Sequence, residues 1–212
     1  MKVSIIGTGR LGSKLGKIWA EKGHLIMFGS RDPQKAKKLA ESIGSNVSGG
    51  TYEDTAKFGD VVILAVPWSG AKESIKKAGD LSGKIIVDST TTAAPHLGGT
   101  LIRVTPSAAE KVAKWAEGAE VIKVVHTIGV ESLDKVQFGS QQASLFVCGD
   151  NLDAKSKVKQ LGRDLGFDVI DVGPLINARL TEPLAMLWIE LAYKQGMGTD
   201  IAFKLLTRRK TR

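Results

Sequence analysis

A single cysteine, Cys148, stands in the 212 residues of this chain. That scarcity excludes an internal disulfide and any zinc centre built on a cysteine cluster, and it fits a reducing compartment. Long apolar runs are missing too: none approaches the roughly 20 residues needed to cross a bilayer. The opening stretch Met1-Lys2-Val3-Ser4-Ile5-Ile6 turns at once into Gly7, too soon for a secretory signal, and reads as a buried strand. No membrane partner is expected, and the expected location is cytoplasmic. Aromatics make up only 6% of the residues, and they do not interleave with the cations behind the formal net charge of +8. Those cations fall on helical stretches such as Lys35-Ala36-Lys37-Lys38 and Lys155-Ser156-Lys157-Val158-Lys159, so solvated helix faces account for most of them and nucleic acid is not expected as a partner. The basic tail Thr207-Arg208-Arg209-Lys210-Thr211-Arg212 follows the last apolar residues and reads as a frayed end. Repeats, low-complexity stretches and flexible linkers are absent as well.

What is present is an alternation. Short apolar, β-branched runs at 2–6, 25–28, 61–66, 84–88, 121–125, 143–147 and 167–171 are separated by segments with helical spacing, such as Leu11, Leu15, Ile18 and Trp19, or Val112, Ala113, Trp115 and Ala116. Strands apolar at nearly every position are buried on both faces, which predicts an α/β fold: a Rossmann-type, doubly wound, mostly parallel sheet. Asp32-Pro33 opens the second helix, with Asp as N-cap and proline in the first turn. After Gly173-Pro174 the pattern predicts the longest helix, from about Leu175 to Gln195, ended by Gly196-Met197-Gly198 and followed by the apolar segment Ile201–Leu206. Its broad apolar face, with Leu180, Leu184, Leu187, Trp188, Leu191 and Ala192, packs on the body or on a second copy in a homo-oligomer. The expected organisation is a nucleotide-binding domain over 1–150 and a small C-terminal helical annex over 151–212 that completes an acceptor cleft.

Gly7-Thr8-Gly9-Arg10-Leu11-Gly12 fits G-x-G-x-x-G, directly after a buried strand and directly before a helix. The first glycine permits the tight turn, the second lets the backbone approach a pyrophosphate, and the third lets the helix lie close to the strand. The helix start then offers unpaired N–H groups and a partial positive charge. Arg10 either covers the nucleotide or faces solvent. At the end of the next strand, where a NAD-binding chain places an acid on the ribose hydroxyls, the sequence reads Gly29-Ser30-Arg31. A hydroxyl and a guanidinium suit a 2′-phosphate instead, so NADP(H) is expected over NAD(H). Lys35, one turn further on, adds a cation or is a plain surface lysine, and Asp32 is expected to cap its helix rather than bind ribose.

Ala65-Val66-Pro67-Trp68 and Asp88-Ser89-Thr90-Thr91 stand at the ends of later strands, where an open sheet of this kind places its ligand crevice. Both are candidates to line the nicotinamide half; alternatively, Trp68 fills adjacent core and Ser89 and Thr90 cap a turn. Cys148 reads as a small core residue at a strand end, and His24 and His96 as loop residues. No residue is assigned as catalytic or as a metal ligand.

Together with Gly7 to Gly12, Gly29-Ser30-Arg31 and Val66-Pro67-Trp68, the ordered motifs His126-Thr127-Ile128, Val147-Cys148-Gly149-Asp150, Gly173-Pro174-Leu175, Asn177-Ala178-Arg179 and Gly196-Met197-Gly198 make the sequence resemble the NADPH:deazaflavin (coenzyme F420) oxidoreductase family over nearly its whole length. It departs from that family's pattern at Gly129-Val130. The resemblance implies hydride transfer between NADP(H) and a deazaflavin, coenzyme F420, with FMN or FAD as the flavin alternative. It also implies that Thr8, Ser30, Arg31 and Lys35 hold the 2′-phosphate end. Ile128 and Val130 would border the nicotinamide, and His126 and Thr127 would shape the same pocket. Two other readings stand beside it: an NADPH-dependent imine or β-hydroxyacid-type reductase, disfavoured because only about 40 residues follow Gly173, and a non-catalytic NADP(H)-sensing module.

Overall fold

The computed structural model describes residues 1–90, 105–125 and 127–208. Its elements run β1 (Lys2–Ile6), α1 (Arg10–Glu21), β2 (Leu25–Gly29), α2 (Pro33–Glu41), β3 (Val47–Gly50), α3 (Tyr52–Phe58), β4 (Val61–Leu64), α4 (Trp68–Ala78), β5 (Ile85–Asp88), α5 (Ala108–Trp115), β6 (Glu120–Val125), a small hairpin of β7 (Gln137–Phe138) and β8 (Gln141–Gln142), β9 (Ser144–Cys148), α6 (Leu152–Asp164), β10 (Asp168–Asp171) and α7 (Ala178–Ile189). Eight strands form one sheet in the order β10-β9-β6-β5-β4-β1-β2-β3. Every neighbouring pair is parallel except β6 and β9, where Val124 lies opposite Val147. The expected doubly wound α/β class is what the chain adopts.

The period-2 alternation of strands decides which side chains go to which face. Along β4, Val61 and Ile63 join one core with Leu15, Trp19 and Phe28, whereas Val62 and Leu64 join the other with Ile75, Ala109 and Val112. All four β4 residues are buried, as both-face burial requires. Each large apolar side chain removed from water in this way contributes about 1.5–3 kcal/mol before the entropy of ordering it is set against the gain.

β3, α3 and the short hairpin of β7 and β8 escaped the apolar-run reading. β3 has the sequence Val47-Ser48-Gly49-Gly50, which lacks the apolar run of a buried strand. The reason is steric: a Cβ on Gly49 would stand 2.3 Å from the backbone carbon of Ala36, so α2 can lie against this edge strand only if the strand carries glycine. α3 follows at once, opened by a Thr51/Asp54 capping box.

The long C-terminal helix is a correction. The stretch expected as one helix from Leu175 to Gln195 starts as a 3-10 turn at Leu175–Asn177, is α-helical only over α7, and ends as one π turn at Glu190–Lys194. An apolar stripe continues across all three because their periods differ too little to break it over so few residues. Asp32 caps α2, its carboxylate accepting from the backbone N–H of Gln34 at 3.0 Å and of Lys35 at 3.4 Å. Cys148 ends β9, fully buried. His24 lies in the loop before β2 but is buried, with Nε2 3.0 Å from an Asp164 carboxylate oxygen. Thr91, His96, His126 and the tail from Arg209 lie outside the described residues.

Candidate functional site

The sheet order reverses between β1 and β4, which opens a crevice at the carboxyl ends of those strands. The glycine motif fills one side of it. Gly7 leaves β1 with φ +123°, and a Cβ there would lie 2.3 Å from the Ala65 carbonyl oxygen, so the turn fits against the end of β4 only without a side chain. A Cβ on Gly12 would lie 2.2 Å from the Gly7 carbonyl oxygen, which fixes how close α1 comes to the strand. Gly9 differs: a Cβ there would meet nothing within 4 Å, so its glycine keeps space open on the crevice side rather than relieving a clash within the chain. Gly9 is also the N-cap of α1, with no side-chain cap and no acidic residue in the first turn, so the start of this helix keeps its positive end uncompensated by its own residues.

Around this turn, Thr8 and Leu11 are half-buried and Arg10 is exposed, its guanidinium paired with Glu131. One turn further along α1, Lys14 meets Asp134 at 2.7 Å and its ammonium holds that carboxyl below the usual range. The two pairs tie α1 to the segment that carries Val130. Beyond β2, Ser30 is half-buried, its hydroxyl accepting from the Asp32 N–H at 3.2 Å. Arg31 and Lys35 are exposed beside it, and among the described residues the Arg31 guanidinium makes no ion pair or hydrogen bond. Asp32 is committed to capping α2, so the acid that directly follows Arg31 is already occupied.

Past the reversal point, Ala65 and Val66 are half-buried behind Gly7, and Pro67 leads into α4. Trp68 belongs to the lateral packing of α4 on α5, its ring 5.1 Å from that of Trp115 and tilted by 30°. A cleft of about 150 Å³ then opens between Leu11, the ends of β5 and β6, and α7. Ile128, Val130, Ala185, Trp188 and Ile189 are among its apolar walls, and Ser89, Thr90, Lys123 and Glu182 bring its polar groups. Thr127 is buried next to it, its hydroxyl donating to the Ser144 carbonyl at 3.3 Å. Of the expected 2′-phosphate residues, Ser30, Arg31 and Lys35 thus gather at the end of β2 while Thr8 lies in the glycine turn, and the expected nicotinamide residues Ile128 and Val130 follow the end of β6.

Composition and motif reading missed two buried charges of this cleft, Lys123 and Glu182, and named their partner Asp88 only within Asp88-Ser89-Thr90-Thr91. Lys123, on β6, donates to Asp88 Oδ2 at 2.9 Å and to the Thr90 carbonyl at 2.6 Å, and stands 3.5 Å from Glu182 Oε1. Glu182 in turn accepts from the N–H groups of Ala108 at 3.0 Å and Ala109 at 3.1 Å. The available signal was a lone lysine inside Val121-Ile122-Lys123-Val124-Val125, since a charge in a doubly buried strand must have partners. Trp188 was visible only as part of an apolar face, and Ile189 was not singled out.

The sequence of residues 2–92 matches the family described as NADP oxidoreductase, coenzyme F420-dependent. The F420-dependent NADP reductase of Methanocaldococcus jannaschii is 32% identical, with the match covering 95% of this chain and 97% of that protein. The chain belongs to this oxidoreductase family. A solved structure from Arthrobacter sp. FB24, provisionally assigned as an F420-dependent NADP reductase, superposes with a TM-score of 0.87 over 98% of this chain and all of that one, at 26% identity. An imine reductase from Streptomyces aurantiacus shares the fold, with a TM-score of 0.69 at 17% identity, over 92% of this chain and 64% of its own.

Proposed function

We propose that the chain transfers a hydride between NADP(H), held along the glycine turn and the end of β2, and a deazaflavin of the coenzyme F420 class seated in the cleft beside α7. The carrying observation is the cleft itself: its walls include Leu11 from the glycine motif, Ile128 and Val130 beyond β6, and Trp188 and Ile189 from the C-terminal annex. Nucleotide side and annex side therefore share one space. Membership of an F420-dependent NADP oxidoreductase family supports the same pair of reactants.

The residues present fit a dinucleotide. The open side of Gly9 and the uncapped start of α1 suit a pyrophosphate, and Ser30, Arg31 and Lys35 offer a hydroxyl and two cations to a 2′-phosphate. When bound, the nicotinamide supplies the hydride donor or acceptor carbon; the protein's part is to hold it against a second planar ring and keep water out. That task needs no acid, base or metal, and the roles of Ile128, Val130 and Trp188 are contact and orientation. In this reading residues 1–150 hold the nucleotide, and the annex over 151–212 closes the acceptor side with α7.

The test is to mix the purified chain with NADPH and, separately, coenzyme F420, FMN, FAD and a cyclic imine, following NADPH absorbance. Rapid oxidation with F420 and little with the others is expected. Preferential imine reduction would overturn the reading, although the imine reductase that shares the fold extends well beyond the matched part. NADPH binding without turnover of any acceptor would favour the sensing module.

A further inference from the structure

The charged cluster at the floor of the cleft is almost wholly removed from water: Lys123 is 1% exposed, Asp88 0% and Glu182 4%. All its polar atoms are matched. Asp88 Oδ1 accepts from the N–H of Thr90 at 2.9 Å and its hydroxyl at 2.6 Å, Oδ2 accepts from Lys123, and both Glu182 oxygens accept from the first amides of α5. Burying three charges is a poor way to gain stability, because desolvation offsets most of the attraction and apolar replacements of like volume often do as well. What such a cluster does supply is direction.

The apolar packing of α7 gives it little direction beyond its first turn, which Arg179 ties to Glu110. Its buried side chains are Ala178, Thr181, Glu182, Ala185 and Trp188, so its inner face carries one large apolar group, whereas Leu180 and Leu187 point out, 72% and 49% exposed. Small residues let a helix slide or rotate with little loss of contact, and the nonpolar packing therefore sets the position of α7 only loosely. Glu182 sits one turn before Ala185 and two turns before Ile189, on the stretch that walls the cleft. Through Lys123 and Asp88 it is joined to β6 and β5, and through Ala108 and Ala109 to α5. The same three side chains hold Thr90 and Ala108, the chain on either side of residues 91–104. The end of β2 and the Gly9 turn share none of the cluster's bonds, and the glycine motif meets this cleft through Leu11.

We infer that Lys123 and Glu182 are positioning residues for the acceptor half of the site: they set where α7 stands, and hence the width of the cleft between Trp188 and Ile128, without taking part in nucleotide binding. The inference rests on the proposed function only in taking that cleft as the acceptor's place. It follows that acceptor recognition and NADPH recognition are separable by mutation within one small protein.

The experiment uses the full chain with Glu182→Gln, which keeps volume and one acceptor, and Lys123→Met, which removes the cation. NADPH affinity by fluorescence titration should stay within about threefold of the parent. The KM for F420 should rise at least about tenfold with kcat changed much less, because the transfer geometry is recovered once the acceptor is in place. Amide exchange should quicken at least about tenfold in α7 and at Ala108 and Ala109 while α1 keeps its protection. Parallel losses of NADPH affinity and acceptor KM would overturn the inference, as would parental KM and exchange in Glu182→Gln. Should Lys123→Met fail to fold, Glu182→Gln decides; should neither fold, the cluster is a general stabiliser and the inference is wrong. If the parent chain turns over no deazaflavin, the proposed function fails, and exchange together with NADPH affinity still decides the positioning role.

Discussion

Arg179 grips Glu110 at two points, Nε to Oε2 at 2.9 Å and Nη2 to Oε1 at 2.7 Å, joining the first turn of α7 to the capping box of α5. The guanidinium, with further bonds from Ser107, holds the Glu110 carboxyl down at about 2, from an ordinary 4.5. A carboxyl depressed on folding contributes stability that is present above its unfolded value and is lost as pH falls through its folded one. Full linkage over that interval would be about 3 kcal/mol, and because Arg179 is about one third exposed we expect screening to leave about 1–2 kcal/mol. Urea unfolding of the parent and of Glu110→Gln should differ by that amount from pH 7 down to about 5, and the difference should shrink below pH 4.5 towards zero near pH 2. A difference that does not change with pH would show that the pair carries no such linkage.

The interior of the sheet was legible from the sequence because strands buried on both faces must be apolar at nearly every position, and Val61–Leu64 or Ile85–Asp88 can hardly read otherwise. β3 was illegible because its composition answers to Ala36 across the gap rather than to its own burial. In the candidate site, the glycine turn and Ser30-Arg31 could be read because their chemistry is local in sequence. Lys123 and Glu182 could not: each looks like an isolated charge until the fold brings β6 against α7, and no spacing rule connects a strand to a helix that follows it after several other elements. The π turn at Glu190–Lys194 was hidden for another reason, since the same apolar residues serve α and π periods equally over one turn.

Two alanine substitutions in one motif should separate folding from binding. Gly12→Ala places a methyl 2.2 Å from the Gly7 carbonyl oxygen, backbone against helix, so it should destabilise by about 2–3 kcal/mol as α1 is forced off the strand. Gly9→Ala meets nothing within 4 Å and should change stability by less than about 1 kcal/mol, yet weaken NADPH at least about tenfold by occupying the space next to the helix start. Thermal melts and nucleotide titration on both variants check the pair. Equal stability in the two would contradict the packing role of Gly12.

Cys148 should behave as an inert thiol. Burial pushes its pKa up to about 11, and its side chain is fully enclosed at the end of β9. At pH 8 only about one thiol in a thousand would be ionised even if reagent could reach it, so alkylation of the native chain should be slow and should accelerate with urea in step with unfolding. Rapid labelling of the folded chain would mean that β9 opens locally.

Arg31 stands exposed at the end of β2 with no partner among the described residues, whereas the neighbouring Ser30 hydroxyl already accepts from Asp32. The cation is thus the group whose interaction energy is uncommitted before a ligand arrives. Replacing it by alanine should weaken NADPH by about 1.5–3 kcal/mol, the worth of a charge-assisted contact, or roughly ten- to a hundredfold. NADH carries a neutral hydroxyl where NADPH has the phosphate, so its affinity should move by less than about threefold. Ser30→Ala should cost NADPH less than Arg31→Ala, because a neutral hydroxyl gives a weaker bond to an anion. Raised salt should narrow the NADPH gap between parent and Arg31→Ala, since an exposed charge pair is screened. Calorimetric titration of both nucleotides into all three chains tests this, and equal losses for NADPH and NADH in Arg31→Ala would remove the phosphate-selecting role from the end of β2.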